Sequence, residues 1–362
     1  MSANVHTEWQ QLKEVIVGNV VNTNLDANID ITFELFYHQN IKDKLIKSNR
    51  KLQRRLIEQR QEDLDNLATV LKDLGVKVKR PRVLDAPKEF IAPNFKSSLH
   101  PSDNPRDLVM IVGNKIIETP VLTRSRYFET DLLKPILFDY FSKGSRWISA
   151  PRPTLSEASF DYSYVKNDDI QSRWQCFTEK DSELEIMFDA AQCLKFGEDI
   201  IMNVSTKNHK LGAEWLAREL GERYRLHLVS ITDHHIDGMF MPLAPGKLLI
   251  NPTTMESKIH LLPKELQKWD IIRCTEIENS KYSDDVLLTA SENISVNVLP
   301  INEQLVLLFS STGEGLNDLR KKLKKNGIES IMIKLRHSKV FDGGIHCATL
   351  DTVREGNLEK YF

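Results

Sequence analysis

"NVLPINEQLVLLFSSTGEGLNDLRKKLKKNGIESIMIKL", residues 297–335, contains one complete unit of a pattern that recurs along the chain. Its first part, 297–310, is a pair of short apolar runs turning near Asn302-Glu303, which predicts a hairpin. Apolar residues at helical spacing follow, and they give way to β-branched residues before 335. Gly327 falls at the predicted helix end, where a residue free to adopt the left-handed conformation is favoured.

The helix-to-strand passage returns as "EDLDNLATVLKDLGVKVKRP" (62–81), "LLKPILFDYFSKGSRWISAP" (132–151), "GAEWLARELGERYRLHLVS" (212–230) and "LPKELQKWDIIRCTEI" (262–277). Hairpins are predicted at 108–120, turning at Gly113-Asn114, at 192–205, turning at Gly197-Glu198, and at 239–252, turning at Pro245-Gly246. "LKEVIVG" (12–18) and "HCATLDTVREG" (346–356) supply a fifth pair by joining the two chain ends. No unit can cover its apolar faces alone, so each requires neighbours. The expectation is one α/β domain over 1–362, a closed five-bladed α/β propeller of ββαβ-type repeats around a central site, with a doubly wound sheet as the rival. The Lys- and Asn-rich stretch 40–55 reads as a solvated helix or insertion.

Bulk properties narrow the function. The 362 residues are 41% hydrophobic and carry a formal net charge of −2, without the basic excess a nucleic-acid or anionic-membrane surface needs. No apolar run approaches the ~20 residues of a membrane span, and "MSANVHTEWQQLKEVIVG" lacks a signal-peptide layout. Cys176, Cys193, Cys274 and Cys347 are scattered without a CxxC pair, which points to reduced thiols in the cytoplasm.

Four polar spots interrupt the apolar strands: "NPRDLVMIVG" with Asp107, "MFDAAQCL" with Asp189, "DHHIDGMF" with His235 and Asp237, and "GGIHCATLD" with Cys347. Each has a plainer reading. Asp107 could end a turn, Asp189 could cap a helix, and Cys347 could fill the core, as Cys193 and Cys274 are expected to do. His235 and Asp237, two apart, share a side if the segment is extended. Asp233, His234, His235 and Asp237 show no further metal-ligand spacing. Together, a cysteine, a histidine and three aspartates suit a guanidinium. Carboxylates hold its N–H groups in charge-assisted pairs, a thiolate attacks its carbon, and an imidazole handles the leaving proton.

These residues sit within blocks spread over nearly the whole chain: "EWQQLKEVIVG" (8–18), "PRDLVMIVGNKIIETP" (105–120), "RSRYFE" (124–129), "GSRWISAPRPTL" (144–155), "FDAA" (188–191), "HID" (235–237), "PGKLLINP" (245–252), "SVNVL" (295–299) and "GGIHCATLDTVREGNLEKY" (343–361). In them the chain resembles the amidinotransferases related to arginine:glycine amidinotransferase, including those of cyanobacterial toxin pathways. The resemblance implies the five-bladed α/β propeller shared with arginine deiminases, with no cofactor or metal. It implies Cys347 as the nucleophile forming an amidino-cysteine, His235 as general acid/base, Asp189 as the supporting carboxylate, and Asp107 and Asp237 as the guanidino grip. The partners implied are a small-molecule guanidino donor and an amine acceptor, with no nucleic acid or membrane; a homodimer stays open.

Departures from the family pattern concern the substrate's other end. Where glycine-using relatives carry an acidic residue and then a carboxylate-binding arginine after "NP", this chain reads "NPTTM", with Thr254 at the arginine's position. Their serine pair is here Ala290-Ser291, the residue before the histidine is His234, and the second acid of "FDAAD" is Gln192. The expectation is a donor or acceptor differing from arginine and glycine, such as agmatine or another amine. The alternative is that Lys247 or Arg273 supplies the missing cation. Hydrolysis to a ureido product, or guanidine binding without turnover, are the competing functions.

Overall fold

The computed structural model describes residues 1–22, 50–163, 176–275 and 294–362. Along them run β1 (Gln11–Val17), α1 (Arg50–Asp73), β2 (Lys77–Lys79), β3 (Glu89–Ala92), β4 (Phe95–Ser98), β5 (Val109–Val112), β6 (Lys115–Glu118), α2 (Lys134–Ser142), β7 (Arg146–Ser149), β8 (Cys193–Phe196), β9 (Asp199–Asn203), α3 (Lys207–Leu220) and β10 (Arg225–Val229). There follow β11 (Phe240–Ala244), β12 (Lys247–Ile250), α4 (Pro252–Met255), β13 (Asp270–Arg273), β14 (Leu299–Asn302), β15 (Leu305–Ser310), α5 (Asn317–Lys325), β16 (Glu329–Lys334) and β17 (Thr349–Glu355).

One motif is repeated. In β5-β6-β7, β8-β9-β10, β11-β12-β13 and β14-β15-β16 the first two strands pair antiparallel and the third lies parallel to the second. The tight turns permit the antiparallel pair, whereas the parallel partner requires the intervening crossover. The fifth sheet, β17-β1-β2, has the same form but is assembled from the chain ends: Val17 faces Thr349, Val15 faces Asp351, and Val15 also pairs parallel with Val78. The expected end-to-end pairing is present. The sheets are separate, so the doubly wound rival is excluded among the described residues.

Helix α1 shows why the local sequence takes this form. Leu56, Arg60, Leu64, Leu67 and Leu71 are buried at three- and four-residue spacing, one stripe of a helix. The helix starts at Arg50, ahead of the expected Glu62, and ends before Gly75, whose φ of +79° suits glycine. Arg54 and Arg55 are exposed, in keeping with a solvated face; residues 40–49 lie outside the described ones.

The fourth unit departs from expectation. In place of a helix entering 262–277, α4 gives way to 3₁₀ turns at Glu256–Leu261 and Leu266–Lys268. Pro263 lacks the N–H a continuous helix would use there, yet Leu262 and Leu266 still reach the core. The β3–β4 hairpin was not anticipated; Phe90 packs edge-on against Phe95 and Phe128, at centroid distances of 6.1 and 5.0 Å. Trp9 anchors the largest core cluster, fully buried and edge-on to Phe196, Trp269 and Tyr361. No helix among the described residues is long and apolar enough to cross a membrane.

This repetition positions the site. Each of the five three-stranded sheets is entered through a short segment just ahead of its first strand. Those segments carry Asp107 before β5, Asp189 before β8, His235 and Asp237 before β11, Asn297 before β14, and Cys347 before β17.

Candidate active site

Cys347 lies in the turn leading into β17 and is 4% exposed. The guanidinium of Arg106 holds this turn: its Nε donates to the carbonyls of His346, at 2.7 Å, and Thr349, at 2.9 Å, on either side of the cysteine. A Cβ on Gly343 would fall 2.8 Å from Cys347 Cβ, and one on Gly344 only 2.5 Å from the Phe309 ring, so both glycines allow close approach. Nδ2 of Asn297 donates to Sγ at 3.1 Å, and the thiol donates to Oδ2 of Asp237 at 3.4 Å.

His235 faces the sulfur from another sheet. One ring nitrogen of His235, one oxygen of Asp107 and Sγ of Cys347 lie within 4.8 Å of one another. Nε2 of His235 meets Oδ2 of Asp189 at 3.1 Å, and Nδ1 lies 3.6 Å from Oδ1 of Asp107. Burial alone would strip the imidazole of its proton. The charge of Asp107 and then the hydrogen bond to Asp189 outweigh it, and the pKa is raised to about 10. The side chains of His235 and Asp189 are 18% and 14% exposed, so the site meets solvent along this edge.

The carboxylates differ in environment. Burial raises Asp107 to about 6, although His235 and Arg126 oppose the shift. Arg126 holds its Oδ2 at 2.7 Å and is itself fixed by Glu129. Burial also works to raise Asp237, but a hydrogen bond with His346 at 2.7 Å and the cations His235 and Arg106 bring it below the ordinary range. His346 continues to Glu8 at 3.3 Å, and Glu8 pairs with Lys195 at 2.8 Å. Desolvation, then Asp237 and Asp107, push the Cys347 thiol well above its usual value, so without a cationic ligand it stays protonated. Oδ1 of Asp107 and Oδ1 of Asp237 are buried without a hydrogen-bond donor. Buried acceptors that make no hydrogen bond, even where, like Asp107 Oδ1, they face a cation at 3.6 Å, have room for donors from a ligand.

Five residues named from sequence therefore converge: Asp107, Asp189, His235, Asp237 and Cys347. Their backbones correct two local readings. Asp189 does stand at the start of a 3₁₀ turn but makes no side-chain cap, turning to His235 instead. Residues Ile236–Gly238 form a 3₁₀ turn rather than an extended run, yet His235 and Asp237 both reach the neighbourhood of the sulfur. His234 pairs with its neighbour Asp233 at 3.3 Å. Thr254 lies on α4, its buried Oγ1 without a hydrogen-bond partner. Ser291 lies outside the described residues. Cys193 and Cys274 are core residues as expected. Asn297, His346, Glu8 and Arg126 were not singled out; the signal available for Asn297 was its place ahead of a hairpin, matching that of the aspartates.

No protein-family model matches the chain. It is 33% identical to L-arginine:L-lysine amidinotransferase of Pseudomonas savastanoi pv. phaseolicola, across 98% of this chain and 95% of that protein. Inosamine-phosphate amidinotransferase from Streptomyces griseus superposes with a TM-score of 0.83 at 31% identity, with 99% of each chain covered. SxtG, an amidinotransferase of the saxitoxin biosynthetic pathway from Microseira wollei, superposes with a TM-score of 0.82 at 33% identity, again over 99% of each chain. Fold and full-length similarity together define an enzyme that transfers amidino groups. The chain belongs to the amidinotransferase family.

Proposed function

We propose that the protein moves an amidino group from a guanidino donor to an amine through a covalent adduct on Cys347. The observation that carries this reading is the sulfur's place beside the His235 imidazole and two buried carboxylate oxygens that accept no hydrogen bond. The donor's guanidinium would bring N–H groups to those oxygens, and its positive charge would allow the thiol to release its proton to water. The thiolate then attacks the central carbon, forming the S–C bond. The C–N bond to the donor's remainder breaks, and His235 gives its proton to the departing amine. Against the effect of burial, Asp107 and Asp189 raise the imidazole's pKa, so His235 carries a proton to give at neutral pH. The acceptor amine attacks the amidino carbon in turn, neutral His235 takes its proton, and the thiolate leaves with the new guanidinium. Asp189 keeps the imidazole oriented.

The donor is arginine or a decarboxylated analogue such as agmatine, and the acceptor an amine bound without a carboxylate clamp. Thr254 offers a neutral hydroxyl, while the suggested replacement cations are engaged elsewhere. Arg273 binds Glu256 through two contacts of 2.7 Å, and Lys247 donates to the carbonyl of Asn326 at the turn end of β12. Four buried cysteines outside any disulfide suit a reducing cytoplasm. The five sheets and their entry segments, each bearing a site residue, support a closed five-bladed propeller. A screen of arginine and agmatine against amino acids and diamines, read by product mass, tests the reading. A new guanidino product that requires the amine is expected; a ureido product indifferent to the amine would establish hydrolysis instead.

A further inference from the structure

We infer that Asn297 is the residue that stabilises the Cys347 thiolate, completing a set in which each of the five three-stranded sheets contributes one entry segment to the reaction. This rests on the reading of Cys347 as nucleophile.

The geometry fixes the orientation of the amide. Oδ1 of Asn297 accepts the backbone N–H of Cys347 at 3.1 Å, and a backbone N–H can only donate, so that atom must be the oxygen. The NH₂ group is therefore the one 3.1 Å from Sγ. One side chain thus grips the nucleophile's backbone and its sulfur together. Asn297 is 2% exposed, and its own carbonyl accepts from His346 N at 3.2 Å, binding the two turns a third time. Gly344 leaves room for it, since a Cβ there would come within 2.7 Å of Asn297 Oδ1.

The charge around the sulfur explains why a neutral donor is needed. Asp237 stands 3.4 Å away, and an oxygen of Asp107 lies within 4.8 Å. Both suit a cationic substrate and oppose a thiolate. A lysine or arginine at position 297 would ease ionisation but would compete with the guanidinium for the same carboxylates. A fixed amide N–H favours S⁻ over SH without adding a charge to the cation's pocket. Position 297 precedes β14 as Asp107 precedes β5 and Cys347 precedes β17, so the repeat itself delivers the amide to the centre.

The test is the pH dependence of Cys347 alkylation by iodoacetamide, followed by peptide mass, in the native protein and in Asn297→Ala and Asn297→Asp. Far-ultraviolet circular dichroism and thermal unfolding confirm that the variants fold. Asp keeps an oxygen for the Cys347 N–H but loses the donor. The alkylation midpoint should rise by about one pH unit in Asn297→Ala, a roughly tenfold loss of thiolate at neutral pH, and further in Asn297→Asp. A merely structural role would lower turnover and leave the midpoint in place; unshifted midpoints in folded variants overturn the inference. Arginine-dependent turnover of Cys347→Ser is measured alongside. If that variant is inactive and the midpoints do not move, the role of Asn297 alone fails; if it stays active, the nucleophile reading fails and takes this inference with it.

Discussion

Sγ of Cys347 and Oδ2 of Asp237, 110 residues apart in sequence, lie 3.4 Å from each other, with the thiol donating to the carboxylate. A thiol facing an acid is held protonated, the unreactive form of the nucleophile proposed here. The same acid, with Asp107, makes a site for a cation, and occupation by that cation reverses the balance. On the proposed reading, the thiolate forms chiefly when a guanidinium is present to be attacked, which limits reaction with other electrophiles.

The adjacent histidines are expected to behave differently. His235→Asn removes the proposed proton donor for the leaving amine and should lower kcat roughly 10²–10⁴-fold. His234 turns to Asp233, so His234→Asn should leave kcat within a few-fold and alter KM among acceptors. Steady-state kinetics of the two variants checks this; the reverse pattern would exchange their roles.

The site predicts two pH effects. Asp107, raised to about 6, loses its charge as pH falls through that value, so the donor KM should climb on the acid side. Asp107→Asn should raise KM roughly tenfold or more at neutral pH and remove that limb. His235 holds its proton to about 10 in the native state but to 6.5 when unfolded. The native state therefore binds more protons between those values, and its stabilisation, complete below pH 6.5, is lost as pH rises toward 10. The slope reaches at most about 1.4 kcal/mol per pH unit. Denaturant unfolding across this window should show a flatter dependence in His235→Asn.

Asp107, His235 and Cys347 would also meet the spacing for an ion held by three ligand atoms. Under the guanidinium reading they serve the substrate. Exhaustive treatment with a chelator should leave turnover unchanged; activity lost on chelation and restored by a metal would reassign the trio.

Thr254→Arg should lower KM for carboxylate-bearing acceptors by about tenfold, the scale of one charge-assisted hydrogen bond, and leave uncharged amines unaffected. Comparing an amino acid with its decarboxylated amine in the variant reads this directly. Equal effects on both would show that Thr254 does not face the acceptor's carboxylate end.

The sequence made the repeat legible because its signals are local: turns at Gly113-Asn114 and Gly197-Glu198, and helix ends at Gly75, Gly144, Gly221 and Gly327, all with positive φ at the glycine. The four aspartate-bearing or cysteine-bearing spots were visible because charge beside buried strands is uncommon. Asn297 was not, since a neutral amide in a loop looks ordinary until its partner, 50 residues on, is placed against it. His346 and Glu8, 338 residues apart, meet only because β1 and β17 pair. The 3₁₀ turns of 256–268 escaped notice because Leu262 and Leu266 keep helical spacing without forming a helix.

The covalent step admits a direct measurement. Acid quenching during turnover with arginine, followed by mass analysis of the peptide containing Cys347, should show that residue heavier by one amidino group. The adduct should disappear when an amine acceptor is added and be absent from Cys347→Ser. An unmodified Cys347 peptide throughout turnover in which new guanidino product accumulates, or undiminished turnover in Cys347→Ser, would contradict the account.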